Sequence, residues 1–354
     1  MTPAMPSKRQ FSANDVSLAV MNYNGEDKLT GLFQSIAKLV NPVGEVLMID
    51  DGSRDDSVGL VCKGWPATRV IELGVNSGGV LNKVRNRAFS EATRSLVFIV
   101  DNDVELKPNC VEELIAVFNQ YPEAAACLTR AVHWDDQTSI YQDGQILHYV
   151  GASPNTNRDA HIDEVDDEPR VSIGWGVQMI DKQRAAEVSF FNEAYILGWG
   201  DDGEINHKLN LYGYKCYQVP KAVVVHKRFE SSKRYLAAVQ NRLRFIAEMY
   251  RLRTIVLALP ALIAYEASLV AFLVMKGGMS DYWTGWKVFF RDFSDIRRVR
   301  REIQAYRKLP DNQVMASGDI FVYSDYVNNK ILMTGYKALN CFLNIYWRII
   351  RKFV

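Results

Sequence analysis

The chain has 354 residues, of which 48% are hydrophobic and 23% are charged, and its net charge is +1. This length allows one large domain and a smaller one, and the near-neutral charge argues against nucleic acid as a partner. The five cysteines form no CxxC pair, which argues against a zinc site, and their odd number fits a reducing compartment. Residues 1–10 carry no apolar signal segment, so we expect the catalytic part in the cytoplasm.

Strand-like and helix-like segments alternate from residue 16 to about residue 100. Short apolar runs that end in polar or glycine residues predict strands, and apolar residues three and four positions apart predict helices. This alternation is typical of an α/β fold with a mostly parallel, Rossmann-like sheet and helices on both faces. Ligands bind such sheets outside the carboxyl ends of the strands. The predicted strands are 16–21, 45–49, 70–73 and 96–100, and the predicted helices are 29–39 and 84–92.

Polar loops replace this pattern between about residues 130 and 170, and they include an acidic stretch at 163–168. Two interpretations of the acidic stretch stay open: a solvated loop, or a mobile lid over an acceptor site. Regular structure resumes near residue 171 and continues to His226, after which the composition shifts to helices rich in arginine, leucine and aromatic residues. We therefore predict a catalytic domain at 1–230 and a helical region at 231–354.

Acidic residues directly follow the fourth predicted strand. Asp101 and Asp103 flank Asn102, and two carboxylates one residue apart at a strand end suit a hard cation such as Mg²⁺ or Mn²⁺. In this interpretation Asp101 reaches a ribose or a water molecule, and Asp103 binds the metal directly. His226 ends another strand-like run, and it either completes the metal shell or is a structural histidine.

A second acidic cluster, Asp-Asp-Gly-Ser at 50–53, follows the second predicted strand. A carboxylate here can accept hydrogen bonds from a nucleobase imide or a ribose hydroxyl, and the glycine allows close backbone approach. The alternative is a helix N-cap formed by Ser53 or Asp55. The loop Asn-Ser-Gly-Gly at 76–79 leads into the basic string Arg-Asn-Arg at 85–87, which suits a diphosphate or, alternatively, is a turn before a surface helix.

Gly-Trp-Gly-Asp-Asp at 198–202 combines a platform for a sugar with a pair of acids. Trp199 lies between flexible glycines and suits stacking on the apolar face of a sugar ring. Transfer of a sugar with inversion needs a general base that takes the proton of the attacking hydroxyl, and a carboxylate is adequate for this role. The alternative is an acidic helix N-terminus, which the helix dipole favours.

With these residues assembled, the sequence resembles the family 2 glycosyltransferases of the GT-A fold over about residues 16–253. The motifs occur in the family's order, and together they are more specific than any one of them. They are the nucleoside-binding aspartates at 50–53, the N-x-G-G…N-R segment at 76–79 and 86–87, the DxD at 101–103, and the E-D…G-Y…V-P…H block from 201 to 226.

The resemblance implies an inverting glycosyltransferase that uses Mn²⁺ or Mg²⁺ and a UDP- or dTDP-sugar. It implies that Asp202 is the base, while Asp201 stands where the family usually has a longer Glu. The Gly-Trp-Gly prefix is similar to that of galactosyltransferases, in which the Trp lines the acceptor site. The implied donor-binding residues are Asn22, Asp50, Asp51, Asn76, Gly79, Asn86, Arg87, Asp101 and Asn102, the implied acceptor-binding residues are Trp175, Trp199 and Gly200, and the implied metal ligands are Asp103 and His226.

The segment 234–250 and the helices beyond it resemble the C-terminal region of rhamnosyltransferases that build bacterial polysaccharides on polyprenyl diphosphate. This narrower resemblance implies a rhamnose donor, with a hexose donor as the alternative. It also implies a glycan acceptor that is lipid-linked or a free oligosaccharide.

An apolar run at 255–275 is long enough to span a bilayer, but Pro260 and Glu266 interrupt it. We expect a helical hairpin that lies in the membrane interface or packs against the catalytic domain. Arginines at 297–301 and nearby tryptophans suit an anionic headgroup layer, and a last helix at about 326–353 has one broad apolar face. We therefore expect peripheral attachment to the cytoplasmic face of the inner membrane, and a homo-oligomer built through the same helices is compatible.

Two other functions remain as alternatives. A nucleotidyltransferase also carries paired acids on an α/β sheet, but the segment 22–26 lacks the glycine- and basic-rich activating loop expected there. A catalytically silent nucleotide-sugar-binding or scaffold subunit would not need Asp101, Asp103, Asp202 and His226 together.

Overall fold

The computed structural model describes residues 9–174, 176–227, 235–320 and 330–354. The chain divides into two compact units, and two short segments that precede residue 201 belong with the C-terminal helices. The predicted domain boundary at 230 lies outside the described residues. Unit 1 comprises the described residues of Met1–Gly144, Thr156–Leu197 and Asp201–Ser231, and unit 2 comprises those of Gln145–Asn155, Gly198–Gly200 and Ser232–Val354.

A ten-stranded mixed sheet forms the centre of unit 1. Its strands are β1 (Val16–Asn22), β2 (Glu45–Asp50), β3 (Arg69–Glu72), β4 (Leu96–Asp101), β5 (Val104–Leu106), β6 (Ala124–His133), β7 (Ile140–Gln142), β8 (Arg170–Val171), β9 (Gln178–Asp181) and β10 (Lys215–His226). The main path runs in the order β3-β2-β1-β4-β9-β6-β10-β5, with β7 paired to β6 and β8 paired to β10.

Six helices accompany this sheet in the described part of unit 1. They are α1 (Glu26–Ile36), α2 (Ser57–Gly64), α3 (Leu81–Glu91), α4 (Cys110–Gln120), α5 (Lys182–Glu187) and α6 (Glu204–Tyr212). Every residue of β1 is buried, and its alternate residues Val16, Leu18 and Val20 join one apolar cluster with side chains of α1 and α4. A strand that is apolar on both faces needs cover on both faces, which is the arrangement of an α/β fold.

The predicted α/β architecture is confirmed, and its four N-terminal strands coincide with β1 to β4 within one residue at either end. These strands pair in parallel, as the alternation of strands and helices predicts. The later strands differ, because β9 inserts antiparallel between β4 and β6. Strand β6 and strand β10 are parallel again.

The acidic stretch at 163–168 is tied to the sheet on one side. Arg130 is fully buried in β6 and pairs with Asp143, and its Nη1 also donates to Asp167 Oδ1 over 2.8 Å. Its Nη2 donates to the carbonyl oxygen of Asp166 over 2.9 Å. A buried guanidinium thus anchors the end of this stretch, while Asp163 remains largely exposed.

Helices dominate unit 2. They are α7 (Tyr235–Met249), α8 (Leu252–Lys276), α9 (Met279–Arg291), α10 (Phe293–Tyr306), α11 (Asp311–Val314) and α12 (Lys330–Ile350). The predicted hairpin at 255–275 is wrong, since α8 is one continuous helix that contains Pro260 in its third turn. Residues 326–329 of the predicted last helix lie outside the described residues. Among the described helices, α8 alone is long and apolar enough to cross a membrane, by length and composition.

Candidate active site

The carboxyl ends of three neighbouring strands bring the first group of predicted residues together. Asn22 at the end of β1 pairs in register with Asp50 at the end of β2. On the other side of β1, Met21 pairs with Asp101 at the end of β4. Parallel strands end at one edge of a sheet, so polar residues that follow them converge there. The acids at 50 and 101 therefore lie at one edge of the sheet.

The side chain of Asn22 links these strand ends. Its Nδ2 donates to Asp50 Oδ1 over 2.8 Å, and its Oδ1 accepts from Asn102 Nδ2 over 2.9 Å. Asp50 also accepts from the backbone N–H of Ser53 over 2.9 Å and from the Ser53 hydroxyl over 2.5 Å. Ser53 therefore orients Asp50 and does not cap α2, which begins at Ser57. The other candidate, Asp55, accepts from the backbone N–H of Ser57 over 3.2 Å and so contacts the start of this helix.

Gly25 has no room for a side chain beside this link. A Cβ at this position would lie 2.3 Å from Asn22 Oδ1 and 2.5 Å from Asn102 Nδ2. We expect Gly25→Ala to break the Asn22–Asn102 bond and to lower the free energy of unfolding by about 1–3 kcal/mol. Chemical denaturation measures this loss. Gly64→Ala is the control, because a Cβ at Gly64 meets nothing within 4 Å, and a loss there equal to that at Gly25 would contradict the account.

Asp51 organises the glycine loop that follows β3. Its carboxylate accepts from Asn76 Nδ2 over 3.0 Å, from the Ser77 backbone N–H over 2.8 Å and from the Ser77 hydroxyl over 2.7 Å. The loop then passes through Gly78 and Gly79, whose φ angles of 68° and 85° lie in the left-handed region that favours glycine. Asp51 thereby fixes a loop whose backbone amides lie near the acidic cluster at 50–53.

Arg85 is the cation of helix α3 that faces the acidic residues. Its side chain is 3% exposed, and its Nη1 donates to Asp201 Oδ2 over 2.8 Å and to Asn82 Oδ1 over 2.8 Å. Burial lowers the pKa of this guanidinium, but the charges of Asp201, Asp202 and Asp101 outweigh burial and raise it. Arg85 therefore stays protonated among these acids.

The two neighbours of Arg85 on α3 have contacts elsewhere. Asn86 donates to the carbonyl oxygen of Phe191 over 2.9 Å and accepts from the Phe191 N–H over 3.0 Å, so it fastens the loop before α6. Arg87 is half-exposed and pairs with Glu91 one turn along the helix. The structure does not bring these two side chains into the acidic cluster, and their predicted donor contacts stay predictions.

Asp101 and Asp202 approach each other across Gly176. The position that a Cβ would take at Gly176 lies 3.3 Å from Asp101 Oδ2, 3.4 Å from Arg85 Nη2 and 3.8 Å from Asp202 Oδ2. Asp202 is held from its backbone, where its carbonyl oxygen accepts from Gln178 Nε2 over 3.2 Å. A glycine at 176 thus leaves space in which three charged groups from β4, α3 and the loop before α6 meet.

This crowding raises the pKa of two carboxyl groups. Burial, together with the charge of Asp201 and against the charge of Arg85, raises the pKa of Asp202 to about 7. Burial and the charge of Asp103 raise the pKa of Asp101 to about 6. A carboxyl group with a pKa near neutrality is suited to general base chemistry, because it can take up a proton and remain ionised in part.

Asp103 and His226 form the predicted metal pair. The Asp103 Oδ2 and His226 Nε2 atoms are 3.7 Å apart, and the two residues lie at adjacent ends of β5 and β10. The imidazole stacks on the Tyr141 ring, with centroids 4.4 Å apart and planes 12° apart. Arg158 lies over the same tyrosine ring at 4.7 Å. The tyrosine therefore restricts the rotation of the imidazole.

The donor atoms of this pair fit a divalent cation. With metal–ligand bonds of about 2.1 Å, neighbouring ligand atoms around Mg²⁺ stand about 3 Å apart. The Asp103 Oδ2 and His226 Nε2 atoms are 3.7 Å apart and would move closer together to share such an ion. Among the residues that the structure describes, no group of three or more His, Cys, Asp or Glu side chains could hold a metal. Two protein ligands are nevertheless sufficient where substrate phosphates complete the shell, as is usual for Mg²⁺.

The predicted acceptor residues fall in unit 2 or outside the description. Trp199 packs edge-on against Phe245, with ring centroids 5.4 Å apart, and its carbonyl oxygen accepts from Asn241 Nδ2 over 2.9 Å. Gly200 has a φ of 74° and open space around its Cα. Trp175 lies outside the described residues.

Sequence reasoning left Gly176 and Tyr141 without a role, and it treated Arg85 only as part of a basic string for a diphosphate, without its pairing to Asp201. A signal existed for Arg85, since it shares the buried face of α3 with Ala88 and Phe89, three and four residues along, where a cation needs a partner. Gly176 and Tyr141 carry no such signal, because their importance follows from distant residues packed around them.

Comparison with known proteins agrees with this geometry. Residues 17–173 match the family model described as glycosyl transferase family 2. The match supports a family 2 glycosyltransferase. The match contains the acids at 50–51 and 101–103 but ends before Asp202 and His226, so the roles of those two residues rest on the geometry described above.

Two curated relatives are glycosyltransferases by name. The chain is 27% identical over 184 residues to glycosyltransferase GlyG of Streptococcus pneumoniae serotype 4 (strain ATCC BAA-334 / TIGR4), which covers 51% of this chain and 54% of that protein. It is 29% identical over 109 residues to uncharacterized glycosyltransferase YibD of Escherichia coli (strain K12), with coverage of 30% and 31%. The chain thus spans about half the length of the first relative and about a third of the second.

The fold is similar to that of a solved structure, GalNAc-T7 with UDP, GalNAc and Mn2+. The TM-score is 0.57 at 15% sequence identity, over 79% of this chain and 57% of that chain. At this identity the likeness concerns the fold alone. The α/β GT-A fold expected from the sequence is confirmed.

Proposed function

We propose that this protein transfers a sugar from a nucleotide-diphosphate donor to an acceptor hydroxyl with inversion at the anomeric carbon. The observation that carries the proposal is the approach of Asp202 to Asp101 across Gly176, with a raised pKa at both carboxyl groups. In this proposal Asp202 is the proton acceptor, and it lies close to the acid at the end of β4. The family match and the likeness to a fold solved with UDP support a nucleoside diphosphate as the leaving group.

The donor is a UDP- or dTDP-sugar in this proposal, and its nucleoside lies along the edge formed by β1, β2 and β4. Asp50, oriented by Asn22 and Ser53, holds the nucleobase. Asp51 holds the loop of Asn76 and Gly79, whose backbone amides suit a diphosphate. Asp101 and Asn102 contact the ribose.

Asp103 and His226 would hold Mn²⁺ or Mg²⁺. When bound, the cation neutralises charge on the leaving diphosphate. The chain's own contribution is to orient these two side chains: β5 and β10 set their spacing, and the ring of Tyr141 sets the orientation of the imidazole. Arg85 adds a fixed positive charge close to Asp101.

Asp202 takes the acceptor proton in this mechanism. Its carboxylate Oδ2 lies 3.8 Å from the position that a Cβ would take at Gly176, whereas Asp201 forms an ion pair with Arg85. The two acids therefore have different roles: Asp201 fixes Arg85, and Asp202 remains available to an acceptor hydroxyl. The proton moves from the acceptor oxygen to Asp202 as the bond from that oxygen to the anomeric carbon forms and the bond to the diphosphate breaks.

For the substrates we propose rhamnose or a hexose as the sugar, and as the acceptor a glycan, free or linked to polyprenyl diphosphate, in bacterial cell-surface polysaccharide synthesis. The C-terminal resemblance to rhamnosyltransferases supports this assignment. Trp175, Trp199 and Gly200 would contact the acceptor. The apolar helix α8 supports a location at the cytoplasmic face of the membrane, and a homo-oligomer is compatible with it.

A thermal-shift screen of nucleotide sugars tests the proposal. A ligand that binds only the folded state raises the apparent melting temperature, and the rise grows with the logarithm of the ligand concentration above its dissociation constant. We expect a UDP- or dTDP-sugar to raise Tm in the presence of Mn²⁺ and to lose most of this effect in EDTA. Products separated by mass spectrometry then identify the transferred sugar. The absence of a shift with every uridine and thymidine nucleotide would contradict the proposal.

The pH dependence of the reaction follows from the raised pKa of Asp202. The pKa of Asp202 is about 7, so at a pH below this value the carboxyl group is protonated and cannot accept a proton. We therefore expect kcat/KM to fall about tenfold for each pH unit below the pKa and to become constant at higher pH. Asp201→Asn removes the charge that raises the pKa of Asp202, so the inflection should move to lower pH. An inflection that stays in place, or a profile flat from pH 5 to 8, would exclude Asp202 as the base.

A further inference from the structure

We infer that helix α8 lies flat in the interface of an anionic lipid bilayer, with the exposed face of α12 also in contact with lipid, and that α8 does not cross the bilayer. The inference rests on the membrane location proposed above. It identifies the surface that binds the membrane and the class of lipid that this surface selects.

Three contacts along the length of α8 hold it to other helices of unit 2. Near its start, the carbonyl oxygen of Leu257 accepts from the Tyr346 hydroxyl of α12 over 2.9 Å. In the middle, Glu266 forms an ion pair with Arg242 of α7. Near its end, Leu273 is buried against side chains of α7 and α9. Helix α8 is thus attached to other helices of unit 2 near its start, at its centre and near its end.

The partner helix α7 is unsuited to hydrocarbon. Five polar or charged side chains of α7 are buried within the protein. Arg242 is held from a second direction, because its Nη1 donates to the carbonyl oxygen of Val150 over 3.1 Å. A transmembrane α8 would have to leave Glu266 without Arg242 or to bring the α7 charges into the bilayer, and both are costly. The buried polar residues of α7 are Gln240, Asn241, Arg242, Arg244 and Glu248.

The opposite side of α8 is apolar and exposed over its full length. The exposed residues from Leu252 to Ile263 recur at intervals of three and four, and the exposed Ala267 and Ala271 continue this spacing to Val274, which places them on one helical face. Between the first and the last of them, the helix rises about 35 Å at 1.5 Å per residue. A one-sided apolar stripe of this kind is typical of a helix that lies in the plane of the interface. Its members are Leu252, Val256, Leu259, Ile263, Val274 and Met275, each 49–68% exposed.

Helix α12 carries a second exposed apolar stripe. Phe342, Ile345 and Ile349 are 40–58% exposed and lie three and four residues apart. The other face of α12 is occupied, since Trp347 stacks on Tyr149 with ring centroids 4.6 Å apart. The two helices touch through the Tyr346–Leu257 hydrogen bond, so both stripes belong to one bundle.

The positive charge of α12 and the residues after it indicates which partner binds this apolar surface. Residues 330–354 contain five lysines and arginines and no aspartate or glutamate. The acid of α8, Glu266, is paired with Arg242. A second copy of the chain seated on this surface would bring like charges together across a two-fold axis, whereas anionic headgroups attract them. We therefore assign the surface to anionic lipid.

Vesicle flotation tests the apolar part of the surface. The full-length protein is expected to float with vesicles of phosphatidylglycerol and phosphatidylcholine in equal parts and to bind pure phosphatidylcholine far less. Ile263→Glu, in the middle of the stripe, should weaken binding at least about tenfold. Val40→Glu is the matched control, because Val40 is an equally exposed valine in unit 1. Equal effects of the two substitutions, or none, would overturn the inference.

The charged part is tested by Arg348→Gln combined with Arg351→Gln. Each basic residue near an anionic surface contributes about fivefold in affinity, so the pair should weaken binding to the anionic vesicles about 25-fold. High salt should reproduce this loss in the unaltered protein. Binding that ignores both the substitutions and the salt would show that lipid charge plays no part and would overturn the assignment.

Cysteine labelling separates a helix in the interface from a spanning one. Cys62 and Cys341 are the exposed native cysteines and are first replaced by serine. Arg253→Cys and Lys276→Cys then mark the two ends of α8. With protein added outside sealed vesicles, we expect a membrane-impermeant maleimide to label both positions. Protection of one end alone would show a span and overturn the inference.

Light scattering and nucleotide binding complete the test. If Ile263→Glu dissociates a dimer and leaves vesicle binding intact, the surface is an interface between copies and the inference is wrong. Nucleotide-dependent Tm shifts, measured without vesicles, should be the same in Ile263→Glu and the unaltered protein. If neither the unaltered protein nor Ile263→Glu shows a nucleotide-dependent Tm shift, the proposed function is wrong. If both show the shift but the unaltered protein does not float with anionic vesicles, only the proposed membrane surface is wrong.

Discussion

Asp202→Asn is expected to lower kcat by about 10²–10⁴-fold and to change the affinity for the nucleotide donor by less than about twofold. The substitution keeps the shape of the side chain but removes its ability to accept a proton, and a general base contributes a rate factor of this size. Donor affinity survives because the proposed donor contacts are made by residues at the ends of β1, β2 and β4 and by the loop that follows β3, and Asp202 is not among them. Initial rates of product formation and calorimetric titration of the nucleotide measure the two quantities.

The matched control for this experiment is Asp163→Asn, which removes a carboxylate that is 85% exposed in a loop of the same unit. It should leave both quantities unchanged. If Asp202→Asn weakens donor binding as strongly as it slows the reaction, Asp202 holds the structure of the site and another group accepts the proton.

Asp103→Asn is expected to have the second largest effect, on metal and donor together. An amide oxygen is a poorer ligand for a hard cation than a carboxylate, and its pair with His226 Nε2 at 3.7 Å loses its charge. Affinity for Mn²⁺ should fall at least about tenfold, and Mn²⁺-dependent nucleotide binding should weaken with it. Nucleotide titrations over a series of Mn²⁺ concentrations measure both changes.

Glu105→Gln serves as the comparison for Asp103→Asn. Glu105 lies two residues further along, on β5, and pairs with Lys227 over 3.1 Å at a partly exposed position. Such a pair contributes little to stability, and the Glu105 carboxylate lies beside Gly31 of α1. Metal affinities that fall equally in Glu105→Gln and Asp103→Asn would mean that general negative charge attracts the cation, with no specific ligand at Asp103.

The N-terminal half of the fold follows from the sequence for a clear physical reason. Strands that are buried on both faces need apolar side chains at every position, and β1 and β4 show this as continuous apolar runs that end at a polar residue. Strand β9 was not recognised, because its four residues, Gln178–Asp181, include polar side chains at both ends. Its polar residues are satisfied by partners that only the folded chain supplies, such as the Gln178 bonds to Asp202 and Asn206.

The candidate site was predictable where its residues follow strands and was not where they depend on packing. Asn22, Asp50 and Asp101 meet because parallel strands end at one edge. The selection of Arg85 over Arg87 depends instead on which face of α3 is buried. The carboxyl groups around Gly176 come from segments about 100 residues apart along the chain, and no local pattern records their approach.

The C-terminal region shows the same limit. Pro260 and Glu266 argued for a break in the apolar run, yet α8 is continuous through both residues, and the glutamate is paired with Arg242. That partner lies 24 residues away on another helix. The sequence shows that the apolar run contains a glutamate. Only the folded helices show that an arginine pairs with this glutamate.

The most direct test of the central claim is a Mn²⁺ titration followed by electron paramagnetic resonance, with and without UDP or dTDP. The account predicts one Mn²⁺ bound per chain when the nucleotide diphosphate is present, and loss of that ion when Asp103→Asn and His226→Ala are combined. Nucleotide-dependent Mn²⁺ binding that persists in the double variant, or that never occurs in the unaltered protein, would contradict a metal-assisted sugar-nucleotide site at this edge of the sheet.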